Sequence, residues 1–436
     1  MFKYLAIASL PLLAAFATDA SADTIYFSGT REPLAGPNVI RDTMRGYAWA
    51  DRDGKNADRA EPWAVTWYRF GRNRGQKAQA FEDTWNKVAS KGFNGSWQSI
   101  GKDIDSALAM KAPDGYGDIQ PMQVRLLYYK LRAAAELGQD IAGPLAEYVK
   151  ANVEYAKKVE KDNQGVTGRK FKGAPYDGCD VGTLHGTTID AFMAIAVYQL
   201  GVKKDPNAAY EQGYKPAADL ATQLSQATSQ QNYIKLYAAP VLERAGTMFS
   251  DSGVWDKAAE VYDQISKATA LAGDQLASKA ARMKNARCLI KMGGAGINRA
   301  DSIFRPIVKE YEETVRSDGP PKKDWLTPEK AAYYAAAYTG IGLIRMEEGK
   351  FSEALQQFSR ALAFFSADAE VRADALFNAG MCAAKIQETT GSKSRYYFDL
   401  GSSYYGELKG SYEDTEAGRK AGVLREALDK NKPAGS

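Results

Sequence analysis

The chain has 436 residues, of which 57 are Lys or Arg and 53 are Asp or Glu, so its formal net charge is +4, and 45% of its residues are apolar. This balance argues against an intrinsically disordered chain and against a polybasic nucleic-acid binder. Because single hydrophobic cores stop growing near roughly 250 to 300 residues, we expect several modules or an elongated stack. His185 is the only histidine, so a catalytic triad or a histidine-rich zinc site would depend wholly on it.

The N-terminus has the pattern of a cleavable export signal. Lys3 precedes an apolar run from Leu5 to Ala17, and residues 20–22 (ASA) are the small residues that a signal peptidase accepts. A membrane-spanning helix would need about 20 continuous apolar residues, more than this run supplies. We therefore predict a signal peptide over residues 1–22, cleavage before Asp23, and a periplasmic or secreted protein without a transmembrane segment.

The pattern of apolar residues in the sequence changes near residue 73. Residues 23–72 contain short aromatic and β-branched runs separated by turn residues, which predicts a small β-rich unit of three to five strands with a hairpin loop over 52–62. Beyond it, apolar residues recur at spacings of three and four, which predicts helices. A long loop over 162–186 interrupts this pattern.

Two later segments share one template of small and large residues. Its positions 4, 7, 8, 15, 17, 20 and 24 are occupied by Leu242, Ala245, Gly246, Gly253, Trp255, Ala258 and Tyr262 in one segment, and by Tyr338, Ile341, Gly342, Gly349, Phe351, Ala354 and Phe358 in the other, where Ala361 also fills position 27. A glycine at position 8 permits close approach of two helices, and a glycine at position 15 permits the turn between them.

This template resembles the tetratricopeptide repeat (TPR), a pair of antiparallel helices of about 34 residues. Leu376, Ala379 and Gly380 restart it once more. The resemblance implies a mostly α fold, a TPR-like α-solenoid of antiparallel helix pairs behind the small N-terminal β-unit. It divides the chain into degenerate helical repeats over 73–238, TPR-like repeats over 239–412, and a capping helix with a tail over 413–436.

The same resemblance implies where a partner would bind. In this family, positions 2, 5, 9, 12 and 13 of the first helix of each pair line the concave surface. Carried over, they predict a partner-binding groove formed by Glu243, Thr247, Thr339, Leu343, Met346, Phe377 and Met381, with Ser250, Asp251, Glu347 and Lys385 on the same surface. The apolar members favour a peptide or a partner helix as the ligand.

One loop gathers residue types that bind metals. Asp177, Cys179, Asp180 and His185 lie in the sequence YDGCDVGTLHG. Structural zinc sites need four ligands at tight spacing, and this spacing is irregular. We therefore interpret the loop as a glycine-rich surface loop, with a capping box formed by Thr187 and Asp190 at the following helix. No metal or cofactor is predicted, and Cys179 is either a free thiol or paired between chains.

Two functions follow from these patterns. The first is a non-catalytic, exported TPR-like scaffold that binds protein partners in its concave groove, without nucleic acid or cofactor; the oligomeric state is left open. The alternative is a carbohydrate-active helical toroid, a polysaccharide lyase or hydrolase that uses carboxylate pairs or tyrosine together with His185. A deep pocket with convergent ionisable groups would favour the enzyme, and an open groove would favour the scaffold.

Overall fold

The computed structural model of the chain describes the backbone of six short strands between residues 24 and 69, and then residues 76–111, 120–162, 166–228, 233–316, 325–364, 369–390, 395–430 and 432–433. The predicted signal peptide and its cleavage site lie outside these residues. The described part is mostly helical. It divides after Val241 into two compact units, which we call the first unit and the second unit.

The strands pair in two antiparallel sheets of three. Their bounds are β1 Thr24–Phe27, β2 Leu34–Ala35, β3 Asn38–Ile40, β4 Tyr47–Ala50, β5 Asp58–Ala60 and β6 Val65–Arg69. The sheet orders are β2-β1-β6 and β3-β4-β5. β5 falls inside the predicted hairpin loop over 52–62, so that loop is shorter than predicted. The side chains of these strands are not described, and a folded β-unit with its own core stays a prediction.

The first unit continues with helices that have apolar faces at helical spacing. They are α1 Gln76–Phe93, α2 Gly101–Ala109, α3 Gln120–Glu136, α4 Ala142–Lys161, α5 Thr188–Tyr198, α6 Pro206–Ala209 and α7 Lys215–Thr228. On α4, Tyr148, Asn152, Tyr155 and Val159 recur every three or four residues and are fully buried. α3 packs against α4 and α5, which places the core of this unit between these three helices.

The segment between α4 and α5 folds inward, and the prediction of a surface loop was wrong. The Phe171 N–H donates to the Cys179 carbonyl at 2.7 Å, and the Val181 N–H donates to the Arg169 carbonyl at 2.9 Å, so the segment forms a narrow hairpin. Phe171, Val181 and Leu184 are buried. The glycines that suggested a surface loop serve its turns; Gly178, for example, has a φ of +79°.

The second unit is a succession of helices that pack against their neighbours along the chain. Their bounds are α8 Ala239–Asp251, α9 Trp255–Leu271, α10 Gln275–Met292, α11 Ala295–Arg316, α12 Pro328–Glu347, α13 Phe351–Leu362, α14 Ala369–Thr390, α15 Arg395–Ser411, α16 Glu416–Arg419 and α17 Ala421–Asp429. The predicted terminal capping helix is thus two short helices, α16 and α17, which pack on α14.

Two of the predicted glycine contacts hold in the structure. A Cβ on Gly246 would lie 2.8 Å from the Tyr262 ring, and a Cβ on Gly342 would lie 2.6 Å from the Phe358 ring. In both cases the residue at position 8 of the first helix faces the residue at position 24 of the second. The position-20 alanines, Ala258 among them, are fully buried. The template therefore identifies where α8 meets α9 and where α12 meets α13.

The third glycine, Gly380, has a different neighbour from the one that the template implies. A Cβ there would lie 2.6 Å from Leu424 of α17, whereas the template position 24 falls on Tyr396, which is 65% exposed. Gly401 of α15 lies beside Leu428 in the same way. α17 therefore fills the space above both glycines. The template fails here because α14 continues to Thr390, so the position at which the template expects the second helix to begin, residue 389, still lies in α14.

Candidate functional site

The second unit contains a cleft of about 560 Å³, which we take as the candidate site. Its lining comes from α8, α10, α12 and α14, together with Trp255 and Tyr262 of α9 and the region of α16. The lining residues are Ser250, Asp251, Trp255, Tyr262, Lys284, Arg287, Cys288, Ile290, Lys291, Leu343, Glu347, Asp374, Phe377, Asn378, Glu416, Ala417 and Lys420. Its size is that of many small-molecule or peptide pockets.

Apolar and aromatic side chains form part of the lining. Leu343 packs against the cluster around Ala354 and Phe358, and Phe377 packs against the cluster around Leu376 and Leu424, so both are half-buried. Tyr262 is buried, and the Lys284 ammonium lies 5.6 Å from the centroid of its ring. These surfaces can accept apolar groups of a ligand while the clusters behind them keep their positions fixed.

The charges of the lining balance. The cations are Lys284, Arg287, Lys291 and Lys420, and the carboxylates are Asp251, Glu347, Asp374 and Glu416. Lys284 pairs with Glu243 of α8, and Lys420 lies 2.5 Å from Glu416 on the same short helix. The cleft therefore has no strong preference for either sign of charge, which differs from an anion-binding groove.

One ion pair crosses the cleft. Arg287 Nη2 of α10 lies 2.8 Å from Asp374 Oδ2 of α14, and both side chains are about one-third exposed. Burial raises the pKa of Asp374; Arg287 and Lys420 lower it, and Glu416 and Glu370 raise it. The neighbouring Glu416 has a lowered pKa, chiefly because it accepts a hydrogen bond from Lys420. Of these two carboxylates, Asp374 is the one whose charged form is less favoured.

Of the predicted groove residues, Leu343 and Phe377 line the cleft, as do Ser250, Asp251 and Glu347 from the same predicted surface. Glu243 and Thr247 contact residues that line the cleft: Glu243 pairs with Lys284, and the Thr247 side chain hydrogen-bonds Tyr262.

Three predicted groove residues lie elsewhere in the described part. Thr339 is fully buried and donates to the Ala335 carbonyl at 2.9 Å, so its place in the groove was predicted wrongly. Met346 packs against the cluster around Phe358, and Met381 packs against the cluster around Leu376. Lys385, from the same predicted surface, pairs with Glu388 at 2.8 Å. Met346 and Met381 pack between helices because removing their apolar surface from water stabilises the fold.

The basic residues of α10 were missed by the sequence analysis. Lys284, Arg287 and Lys291 follow one another at spacings of three and four, which places them on one face of the helix. That spacing was readable from the sequence. It was not used because α10 and α11 do not match the template, so no position of α10 was assigned to the groove.

In the loop that gathers metal-binding residue types, the surroundings of His185 form a buried hydrogen-bond network. His185 is 1% exposed; its Nδ1 accepts from the Thr187 backbone N–H at 3.2 Å, and the His185 backbone N–H donates to Asn152 Oδ1 at 3.0 Å. Burial lowers the pKa of His185 well below 6.5, with a further contribution from Arg125, so the ring is neutral. Among the described residues, no group of three or more His, Cys, Asp or Glu side chains is arranged to hold a metal ion.

The prediction of a capping box at the start of α5 was wrong, because the Thr187 side chain belongs to the same hydrogen-bond network. The Thr187 hydroxyl makes no capping bond. It lies 2.8 Å from His185 Nδ1 and 3.1 Å from the Tyr148 hydroxyl instead. The side chain is used to hold the hairpin against α4. Cys179 in the same segment is buried, and burial raises the pKa of its thiol.

Comparisons with known proteins give no family. Neither the protein-family models nor the curated proteins searched match this chain. In the part of the chain that the structure describes, the helices are too short or too polar to span a lipid bilayer. The resemblance to TPR proteins therefore depends on the residue pattern and its glycine contacts.

Proposed function

We propose that this protein is a non-catalytic, exported TPR-like scaffold, an α-solenoid behind an N-terminal β-unit, whose second unit binds a segment of a partner protein in the cleft. The observation that supports it is the composition of the cleft wall. Successive first helices contribute half-buried Leu343 and Phe377 beside balanced charges. A surface with apolar pockets and charges of both signs suits a peptide or helix with mixed side chains.

The carbohydrate-active alternative draws less support from the geometry. Its mechanism used His185, which is 1% exposed and lines a cavity of about 20 Å³ in the first unit. A sugar ring cannot enter a space that holds about one water molecule. The cleft of the second unit does carry carboxylates, but Asp374 is paired with Arg287 and Glu416 with Lys420.

Partner capture tests the scaffold proposal. Lys284 and Lys291 are exposed residues of the cleft lining, so replacing both by glutamate changes the charge of the cleft without opening the core. We expect the full-length protein to capture partners by crosslinking in the periplasmic fraction and the Lys284→Glu, Lys291→Glu variant to lose them. N-terminal sequencing of the recovered protein checks the proposed cleavage before Asp23.

A matched variant provides the control. Lys309 of α11 and Lys409 of α15 are exposed and lie outside the cleft lining. The Lys309→Glu, Lys409→Glu variant has the same change in net charge and should capture the same partners as the unmodified protein. Equal capture by all three proteins would contradict the proposal that the cleft binds the partner.

A further inference from the structure

The Arg287–Asp374 ion pair joins two helices that are far apart along the chain. Arg287 lies on α10 and Asp374 on α14, and both side chains line the cleft. Three helices, α11, α12 and α13, separate them in sequence. The pair therefore spans the cleft, and a partner segment lying there meets it directly.

The contact between the two groups is electrostatic without a well-directed hydrogen bond. Arg287 Nη2 is buried and, among the described residues, makes no hydrogen bond of acceptable geometry, although Asp374 Oδ2 is only 2.8 Å away. A guanidinium group binds a carboxylate best when the two are coplanar and share parallel N–H···O bonds. The donor capacity of Arg287 is thus not fully used by Asp374.

The surroundings of Asp374 also disfavour its charged form. Glu370 precedes it by one helical turn on α14, and Glu416 approaches from α16. Arg287 of α10 and Lys420 of α16 are the cations that face it. Burial and two neighbouring carboxylates oppose these two cations, so the hold of Asp374 on Arg287 is weaker than that of an exposed, well-aligned partner.

We propose that Arg287 and Asp374 form an internal lock across the cleft, and that a side-chain carboxylate of the partner replaces Asp374 on Arg287 when the partner binds. This inference rests on the proposed function. Lys284 and Lys291 flank Arg287 on the same face of α10 and add attraction for an acid, while Leu343 and Phe377 accept apolar neighbours. The partner segment is accordingly a Glu or Asp between apolar residues.

A random library of twelve-residue peptides tests this directly. Selection on the full-length protein should enrich peptides with one acidic residue beside apolar ones, and their binding should be lost on the Lys284→Glu, Lys291→Glu variant, whose cleft repels an acid. The affinity of the best peptide, measured by fluorescence anisotropy, should weaken by roughly tenfold on Arg287→Gln. It should tighten by roughly threefold on Asp374→Asn, because the lock is removed while the guanidinium remains.

The control is Arg282→Gln, which removes an exposed cation of α10 outside the cleft lining and should leave the affinity unchanged. The lock would be overturned if the selected cleft-dependent peptides lacked an acidic residue, or if no cleft-dependent peptide were selected. It would also be overturned if the Asp374→Asn variant bound the peptide no more tightly than the unmodified protein does. If circular dichroism shows that Arg287→Gln does not fold, the Asp374→Asn result decides. Capture of cleft-dependent partners in the earlier experiment would still support the scaffold.

Discussion

Gly342 permits a close approach of α12 and α13 that no other residue type allows. A Cβ at this position would lie 2.6 to 2.9 Å from three atoms of the Phe358 ring, and Phe358 is fully buried. The ring has no free space to move into, since protein interiors are close-packed. A single added methyl group must therefore separate the two helices or force the ring out of its preferred rotamer.

We predict that Gly342→Ala lowers the free energy of unfolding by about 1 to 3 kcal/mol. Urea denaturation followed by circular dichroism measures this. The control is Gly406→Ala on α15, where a Cβ meets no atom within 4 Å. There the lost flexibility of glycine should raise the free energy of unfolding by roughly 0.5 to 1 kcal/mol. Equal effects of the two substitutions would contradict the packing argument.

His185 gives the first unit a dependence on pH. Its pKa is lowered in the folded protein because it is buried and because Arg125 lies nearby, so the unfolded chain binds the proton more readily. The resulting stability is present above the unfolded pKa near 6.5 and is lost as the pH falls below it. Burial raises the pKa of Asp190, which lines the same small cavity, and the sign is opposite: this group loses stability when it is charged and regains it as the pH falls through its folded pKa.

We therefore expect the free energy of unfolding to fall between about pH 8 and about pH 5.5, with a slope of at most about 1.4 kcal/mol per pH unit from this one group. Thermal or urea unfolding across this range measures the slope. A His185→Gln variant should lack this contribution. An unchanged slope in that variant would show that other groups cause the pH dependence.

At the scale of a single structural element, one side chain of α4, Asn152, anchors the hairpin over residues 166–187. Asn152 accepts from the His185 N–H at 3.0 Å and donates to Thr188 Oγ1 at 2.9 Å, and it is fully buried. Breaking a buried polar network of this kind is costly. Each group that loses its partner stays buried without a hydrogen bond, either to the protein or to water. Asn152 thus links the hairpin to two helices.

We predict that Asn152→Ala lowers the free energy of unfolding by about 2 to 4 kcal/mol and increases amide hydrogen exchange first in residues 166–187. Hydrogen exchange followed by mass spectrometry locates the change. Lys172→Ala, on the exposed side of the same hairpin, should leave exchange unchanged. Faster exchange spread evenly over α4 and α5 would argue against a local role.

The helices themselves could be predicted from the sequence because they depend on spacing over a few residues. The same holds for the contacts of Gly246 and Gly342, since the template joins two helices with a short turn between them. The neighbour of Gly380 could not be predicted in this way, because it belongs to α17, which lies outside the repeat template. The burial of the 166–187 hairpin could not be predicted either, since its glycines and polar residues are typical of an exposed loop.

At the scale of the whole molecule, the candidate site lies within the second unit alone. Leu343 and Phe377 could be predicted from the sequence because the TPR resemblance implies which face of α12 and of α14 binds a partner, whereas no residue of α10 was assigned to the site. The Arg287–Asp374 pair was not predicted either. A contact between residues on α10 and α14 depends on how several helices pack together, and no local spacing encodes that packing.

α17 has a practical consequence for anyone who shortens this protein. Leu424 and Leu428 lie over Gly380 and Gly401, and both leucines are buried. Removing them would open two neighbouring holes and leave an apolar stripe of α14 and α15 in water, which favours self-association. Fragments meant for biophysical work should therefore retain residues through Asp429, and fusion tags belong beyond that residue.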